Sequence, residues 1–530
     1  MKKLSRLWLA GGVAAAVLCG AVAASAASAA VGDKKARERA DRTLRAGEFE
    51  AAEKMFRELL AKDARDTQAR LGLSLALLKQ RKHIDAYDQA ARVVAVEPLS
   101  ARAHALLGTA LLGAGDFRLS VEEFRTALTL RDDDAMAIAG LAMVDFYENR
   151  INASLSGLRR AAFIDPGEPD YVYNLGQVAA RSERYAEAAA AYEQFLRVAP
   201  RTDAERRARI QGLIDFLVYL GKQRDLLAVA GPSRAVIPFE LVNNRPIINV
   251  RINGSKETLK FVVDTGAGMC VLSTGAAERL GLKPVARGGK ARAVGGEGRF
   301  DIIYGFLQTL HVGEARLDRV PVYIRQFYND REPVDGYIGL SVLGKYLTTV
   351  DYAGGMMTLL RGEALREAPP PSPAAVEIPM RTTSSGFWSG EVRLEGMEKP
   401  ANFIIDTGAS VTVVSAALAE REGLERFAQK QVISVYGAAG LAENIRTLTL
   451  PSLGLTPTHA RRHVYAAILD MDALNETAGF EQTGIIGGNV LRHYLVTFDF
   501  ERAVVRLDPY KAPPPAPQPK AAAPVVSTQP

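Results

Sequence analysis

Cysteine is almost missing from this chain. Its 530 residues carry two, Cys19 and Cys270, too few for a disulfide framework. Histidine is scarce too, with six residues. Neither His-Glu-x-x-His nor Cys-x-x-Cys occurs, so no metal site can be read and no cofactor is expected. There is no Gly-x-Ser-x-Gly elbow from which to begin a serine-hydrolase reading. Charge of one sign does not build up either: 66 basic and 60 acidic residues leave a net +6, dispersed along the chain, which argues against nucleic acid as a partner. With 48 % hydrophobic and 24 % charged residues, wholesale disorder is excluded. The length allows about three or four domains.

The long apolar run stands at the N-terminus. Lys2, Lys3 and Arg6 precede an uncharged stretch from Leu7 to Val31, which ends in Ala24-Ser25-Ala26 and Ala27-Ser28-Ala29. A basic start, an apolar middle and small-x-small sites are what a signal peptidase requires. Residues 1–30 are therefore expected to be a signal peptide and the product to be exported, periplasmic or secreted. The alternative is an uncleaved anchor, since about 25 apolar residues can span a bilayer; membrane contact is expected only in that case. Leu18 before Cys19, where lipoprotein signals need a small residue, argues against a lipid anchor. Cleavage removes Cys19 and leaves Cys270 as the sole thiol.

A period of 34 residues runs through 33–202. Ala52, Ala86, Ser120, Ser154 and Ala188 share one register. Four positions on come Phe56, Ala90, Phe124, Leu158 and Tyr192, and twelve positions after the small residues come Ala64, Pro98, Asp132, Pro166 and Pro200, where a helix should stop. This pattern resembles the tetratricopeptide repeat, in five units. The resemblance implies an all-α solenoid whose concave face binds a protein partner or peptide; a spacer without ligand is the alternative. A solenoid end needs a solvating cap, and Arg206–Val229, within 203–230, is expected to be that cap helix.

From about Ala235 the chain changes to short β-rich runs with Gly turns, and here too it is duplicated. Phe261-Val262-Val263-Asp264-Thr265-Gly266-Ala267-Gly268 returns as Phe403-Ile404-Ile405-Asp406-Thr407-Gly408-Ala409-Ser410, 142 residues later. Gly336-Tyr337-Ile338-Gly339 returns as Gly484-Ile485-Ile486-Gly487, 148 residues later, followed by matched stretches ending in Asp351 and Asp499. Two Asp-Thr-Gly motifs, each behind a β-branched strand and each followed by an apolar-Gly block, resemble the aspartic peptidases, closely the retropepsin-like family. That resemblance implies a multidomain chain, in which the solenoid is followed by an all-β bilobal fold of two retropepsin-like halves. The halves are expected at 235–362 and 376–510, with a Pro-rich linker at 363–375 and a disordered tail at 511–530. The linker can reach roughly 45 Å, enough for the lobes to pair within one chain.

On this resemblance Asp264 and Asp406 form a catalytic pair acting on a polypeptide substrate. Two carboxylates about 3 Å apart cannot both ionise. One takes a proton from water while the other polarises the scissile carbonyl, and the proton belongs to the pair. Gly266 and Gly408 permit the tight turns, and Thr265 and Thr407 are implied to hydrogen-bond across the interface. Ile338-Gly339 and Ile486-Gly487 are expected to run beneath the loops as buried strands. Asp351 and Asp499 read as turn residues, and Cys270 as a small buried side chain rather than a nucleophile.

The family pattern is not kept throughout. Ser410 is expected to hydrogen-bond its aspartate, whereas the matching position in the first copy is Gly268. Ala267 and Ala409 stand where pepsins carry hydroxyl residues, so the pair should have raised pKa values and work nearer mildly acidic to neutral pH. Tyr436 and Gly437 suit the tip of a substrate-binding flap in the second copy, and 294–298 that of the first. The function implied is an exported aspartic endopeptidase whose repeats bind substrate or partner. The competing reading is a catalytically silent peptide-binding scaffold of the cell envelope, and Gly268 is its support.

Overall fold

A computed structural model describes residues 34–291, 299–327, 334–437 and 440–510. The expected signal segment, the tail at 511–530, the first flap tip at 294–298 and residues 438–439 of the second lie outside the described residues. Among the described residues no helix is long and apolar enough to cross a membrane. The chain divides into two compact units, Met1–Gly140 with Ala199–Asp203, and Leu141–Val198 with Ala204–Pro530.

The first unit is helical: 34–45, then Phe49–Lys62, Thr67–Lys79, His83–Val94, Ala101–Gly113 and Phe117–Leu130. Its geometry repeats with its sequence. Asp66, Ser100 and Asp134, 34 residues apart, each accept a backbone N–H three residues on and so start a helix. Gly47, Arg81 and Gly115 turn the chain between helices with positive φ, and Asn149 and Glu183 continue that series in the second unit. Ala52, Ala86 and Ser120 are fully buried, as are Phe56 and Phe124. Small residues thus let paired helices approach while aromatics fill the space beside them.

The second unit begins with more helices, Ile151–Ile164, Pro169–Arg181, Tyr185–Val198 and Ala204–Gly221, with Ser154, Leu158 and Ala188 fully buried. The expected solvating cap over 203–230 is corrected here. The helix ends at Gly221, and Ala228–Ala230 is a strand paired with Arg316–Asp318. Rather than facing water, the helix packs on the first β-lobe. Phe216 stacks on Tyr304 at 4.4 Å and Tyr219 meets Phe306 edge-on at 5.4 Å. Gly212 lies directly on the backbone of Arg287 and Gly288. Ile210, Ile214, Phe216, Leu217 and Leu220 are all buried, because one side faces helix Tyr185–Val198 and another the lobe.

Each lobe is built around the same parallel pair. Phe261–Val263 runs beside Gly336–Ile338 in the first, and Phe403–Ile405 beside Gly484–Ile486 in the second. The lobes join through six strands in the order Arg234–Pro238, Met356–Leu360, Leu347–Asp351, Tyr494–Asp499, Val504–Pro509, Val376–Thr382. The middle pair is antiparallel, with Thr349 opposite Thr497 and their hydroxyls 3.2 Å apart on the pseudo-twofold axis. The Pro-rich linker is laid along the strand Val504–Pro509: Ser372 N–H donates to Asp508 at 2.8 Å and Arg506 to Pro369 O at 3.0 Å. Asp351 caps its turn by accepting the amides of Ala353 and Gly354, and Asp499 accepts that of Arg502.

Candidate active site

Strand Leu259–Val263 ends at Asp264, whose N–H donates to Ile338 O at 3.0 Å; Asp406 N–H does the same to Ile486 O, also at 3.0 Å. The parallel neighbour therefore fixes where each strand stops and each loop begins. Threonine then ties the loops together. Thr265 Oγ1 donates to Ile405 O at 2.7 Å and accepts Thr407 N–H at 3.1 Å. Thr407 Oγ1 donates to Val263 O at 2.6 Å and accepts Thr265 N–H at 3.2 Å. Both threonines are buried, so these four bonds are made away from water, where an unpaired group is costly.

The threonine lattice brings the half-buried Asp264 and Asp406 together, each carboxyl set against the glycine of the other loop. A methyl group at Gly408 would stand 2.6 Å from Asp264 Cγ, and one at Gly266 would collide with the Asp406 carboxylate. Glycine at both positions is therefore a condition of the approach. Burial first, and then the neighbouring Asp406, push the Asp264 carboxyl well above the usual range. Burial also raises Asp406, but the amides of Gly408, Ala409 and Gly266 oppose the rise. Asp264 accepts the Gly266 amide, at 2.8 Å. Its cationic neighbour is Arg325, stacked over Tyr337 at 5.7 Å.

The remaining candidates divide. Among the described residues no hydrogen bond runs from the Ser410 hydroxyl to Asp406. Ser410 is held instead through its carbonyl, by Asn244 Nδ2 at 3.0 Å, and backbone amides occupy the aspartate. Gly268, which reads in the sequence as a lost hydroxyl, has a steric reason: a methyl group there would lie 2.6 Å from Ser385 O. Tyr436 and Gly437 sit at the end of strand Ala428–Gly437, paired with Leu441 and Gly440, and Tyr436 is 39 % exposed. Among the described residues no hydrogen bond connects either of them with the aspartates. Cys270 is buried and accepts Gly339 N–H at 3.3 Å, as Thr412 Oγ1 accepts Gly487 N–H in the other copy. Burial pushes its thiol up to about 11, so it stays protonated and unreactive.

Asn244, Arg325 and Asn489 were not singled out in the sequence. Asn489 Oδ1 accepts from both the amide and hydroxyl of Thr412, at 2.8 and 2.9 Å, and so braces the second loop. The duplication held a signal, since Asn244 and Gly386 occupy corresponding positions, but a contact across lobes has no local pattern.

Comparison with known families agrees with this geometry. Residues 248–342 match the aspartyl protease family and 391–493 the gag-polyprotein putative aspartyl protease family. Segments 37–92, 84–135 and 140–204 match the tetratricopeptide repeat. The chain thus carries two aspartyl protease domains behind a tetratricopeptide region. Among solved structures it is similar to an aspartic proteinase from Irpex lacteus, at 15 % identity over 52 % of this chain and 98 % of that one, TM-score 0.37. It is also similar to a thermophilic TPR protein of Thermus thermophilus, at 19 % identity over 34 % of this chain and 98 % of that one, TM-score 0.30. No curated protein matches the chain.

Proposed function

We propose that the protein is an aspartic endopeptidase in which Asp264 and Asp406 activate water. The observation that carries the reading is the meeting of two carboxyls on duplicated loops, each packed against the glycine of the other loop, supported by the threonine lattice beneath them. Holding two like charges together disfavours the folded state unless one proton is shared. Each carboxyl accepts the glycine amide of its own loop, Gly266 at 2.8 Å for Asp264 and Gly408 at 2.7 Å for Asp406, and the shared proton belongs to the pair. The ionised member takes a proton from bound water as the water oxygen attacks the scissile carbonyl carbon. The protonated member gives its proton to the carbonyl oxygen, completing a gem-diol. The first member then protonates the amide nitrogen and the second takes back a hydroxyl proton as the C–N bond breaks, which restores the starting state.

Gly268 no longer favours a silent scaffold, because the contact with Ser385 O requires a residue without a side chain. Tyr436 and Gly437 are assigned to substrate contact, on an exposed hairpin, and the repeats to binding a polypeptide substrate or partner. Export is part of the proposal and rests on the N-terminal sequence; a mature chain beginning near Val31 in fractionated cells would support it, and a retained Met1 would count against it.

Casein hydrolysis from pH 3 to 8 tests the chemistry. Asp264→Asn and Asp406→Asn should each lower kcat about 10³-fold or more, because the two residues act as one unit. Inhibition by pepstatin should accompany the wild-type activity. Undiminished cleavage by either variant would sink the dyad.

A further inference from the structure

The threonine contacts between the lobes come in matched pairs, whereas a clamp at Asn244 is made on one side only among the described residues. Asn244 lies in the turn between strands Glu240–Val242 and Arg245–Ile252. It donates to Ser410 O at 3.0 Å, and Arg492 donates to Asn244 Oδ1 at 3.2 Å. One lobe's turn is thereby fastened to the other lobe's active loop. By the offsets of 142 and 148, the counterpart of Asn244 is Gly386 and that of Arg492 is Gly344. Neither has a side chain with which to clamp. The turn nevertheless lies against the active loop, with Ser385 O and Gly386 Cα closing on Gly268.

The repeat region reaches this place. Arg181, the last residue of helix Pro169–Arg181, donates through Nη2 to Gly386 O at 3.1 Å. Two residues on, Glu183 pairs with Lys345 at 2.9 Å. Lys345 follows the short helix Leu340–Leu343, and the amides of Leu340 and Ser341 donate to Ala267 O at 2.8 Å and Gly268 O at 3.0 Å. One three-residue turn therefore holds the second lobe through Arg181 and the first through Glu183, on either side of Gly268. Tyr147 adds an edge-on contact with Phe480 at 5.0 Å and its hydroxyl lies 3.4 Å from Ser384 Oγ.

We propose that the turn Arg181–Glu183 positions the Asp264 loop, replacing from the repeat region the clamp that Asn244 and Arg492 form on the opposite side. The inference rests on the reading of Asp264 and Asp406 as the catalytic pair. The repeat region is on this view a structural part of the protease and not a tethered recruiting module. An exposed ion pair adds little to folding stability, whereas a displacement of about 1 Å at a reacting group can cost up to about 100-fold in rate. The turn should therefore matter more to kcat than to Tm.

Glu183→Gly separates the two effects. Glu183 has a φ of 60°, where glycine is at ease and other residues are not, so E183G relieves the backbone while deleting the ion pair. In the full-length protein we expect an equal or higher Tm, kcat lower by about tenfold and KM within about twofold. Amide hydrogen exchange over residues 264–272 should accelerate. K345E should behave alike, and E183K combined with K345E should regain kcat to within about threefold of wild type. R181A should lose activity as E183G does, and R181K should retain most of it. Wild-type kcat and exchange in both E183G and R181A would overturn the proposal, as would a charge swap no better than its single variants. If the wild type cleaved nothing, faster exchange in E183G would still uphold the clamp while refuting the catalytic pair.

Discussion

At the scale of single residues, the active loops put steric demand and family pattern in opposition. The duplicated motif suggests that Gly268→Ser would restore a hydroxyl and improve the site. Contact with Ser385 O at 2.6 Å from the added Cβ argues the reverse: a serine must push the Thr383–Phe387 turn away. We expect G268S to lower kcat about tenfold or more and to lower Tm, measured beside wild type on the same substrate; a gain in activity would refute the steric account. The paired carboxyls give a second test. Both titrate above an ordinary aspartate, owing to burial and, for Asp264, the neighbouring Asp406. Stability from the protonated pair is fully present below the unfolded-state pKa near 4 and is lost as pH rises through the raised values. Asp264→Asn should thus raise Tm at pH 7, and its advantage should vanish as pH falls through about 4. Thermal melts at both pH values decide this, and a variant less stable at pH 7 would contradict the burial argument. The aspartates, threonines and glycines of the site were legible because each recurs at a fixed offset behind a strand. The reason for Gly268 was not, since its partner lies 117 positions away on the other lobe.

At the scale of elements, what could be read depended on periodicity. Five small residues at a spacing of 34 located the helical pairs, and the same spacing recurs in helix starts and left-handed turns. Helix Ala204–Gly221 shows where that signal stops. Its apolar residues do not keep to one face, so the sequence marks it as helical without saying what covers it. A cap and a buried joint look alike in one dimension. The structure buries Phe216 against Tyr304 and Ala286, and truncating a buried phenylalanine costs about 3–5 kcal/mol. Phe216→Ala should therefore destabilise the protein by that amount in urea unfolding. Exposed Val218 on the same helix, changed to Ala, should cost under about 0.5 kcal/mol. Equal and small effects from both would return the helix to the role of a solvent-facing cap.

At the scale of the molecule, the boundary between compact units does not follow the boundary between sequence families. The tetratricopeptide matches run to residue 204, yet residues from Leu141 onward, apart from Ala199–Asp203, belong with the protease lobes. The division follows side-chain contact with the lobes. Tyr147 and Arg181 reach the second lobe, while Glu183, Phe216 and Tyr219 reach the first. A fold held by such contacts should unfold as one. In urea, the helical signal of 141–221 should disappear with the β-lobes and share their midpoint. Its slope should match the larger surface exposed by the combined unit. Hydrogen exchange on the Asp264→Asn variant, chosen so that autolysis does not interfere, resolves this peptide by peptide. Peptides from helices Pro169–Arg181 and Ala204–Gly221 should open with those from Phe261–Val263 and Phe403–Ile405. If the two helices opened at lower urea while the lobes stayed protected, the repeats would be an appendage of the protease. Shared opening would make the last helical pairs part of the enzyme's body.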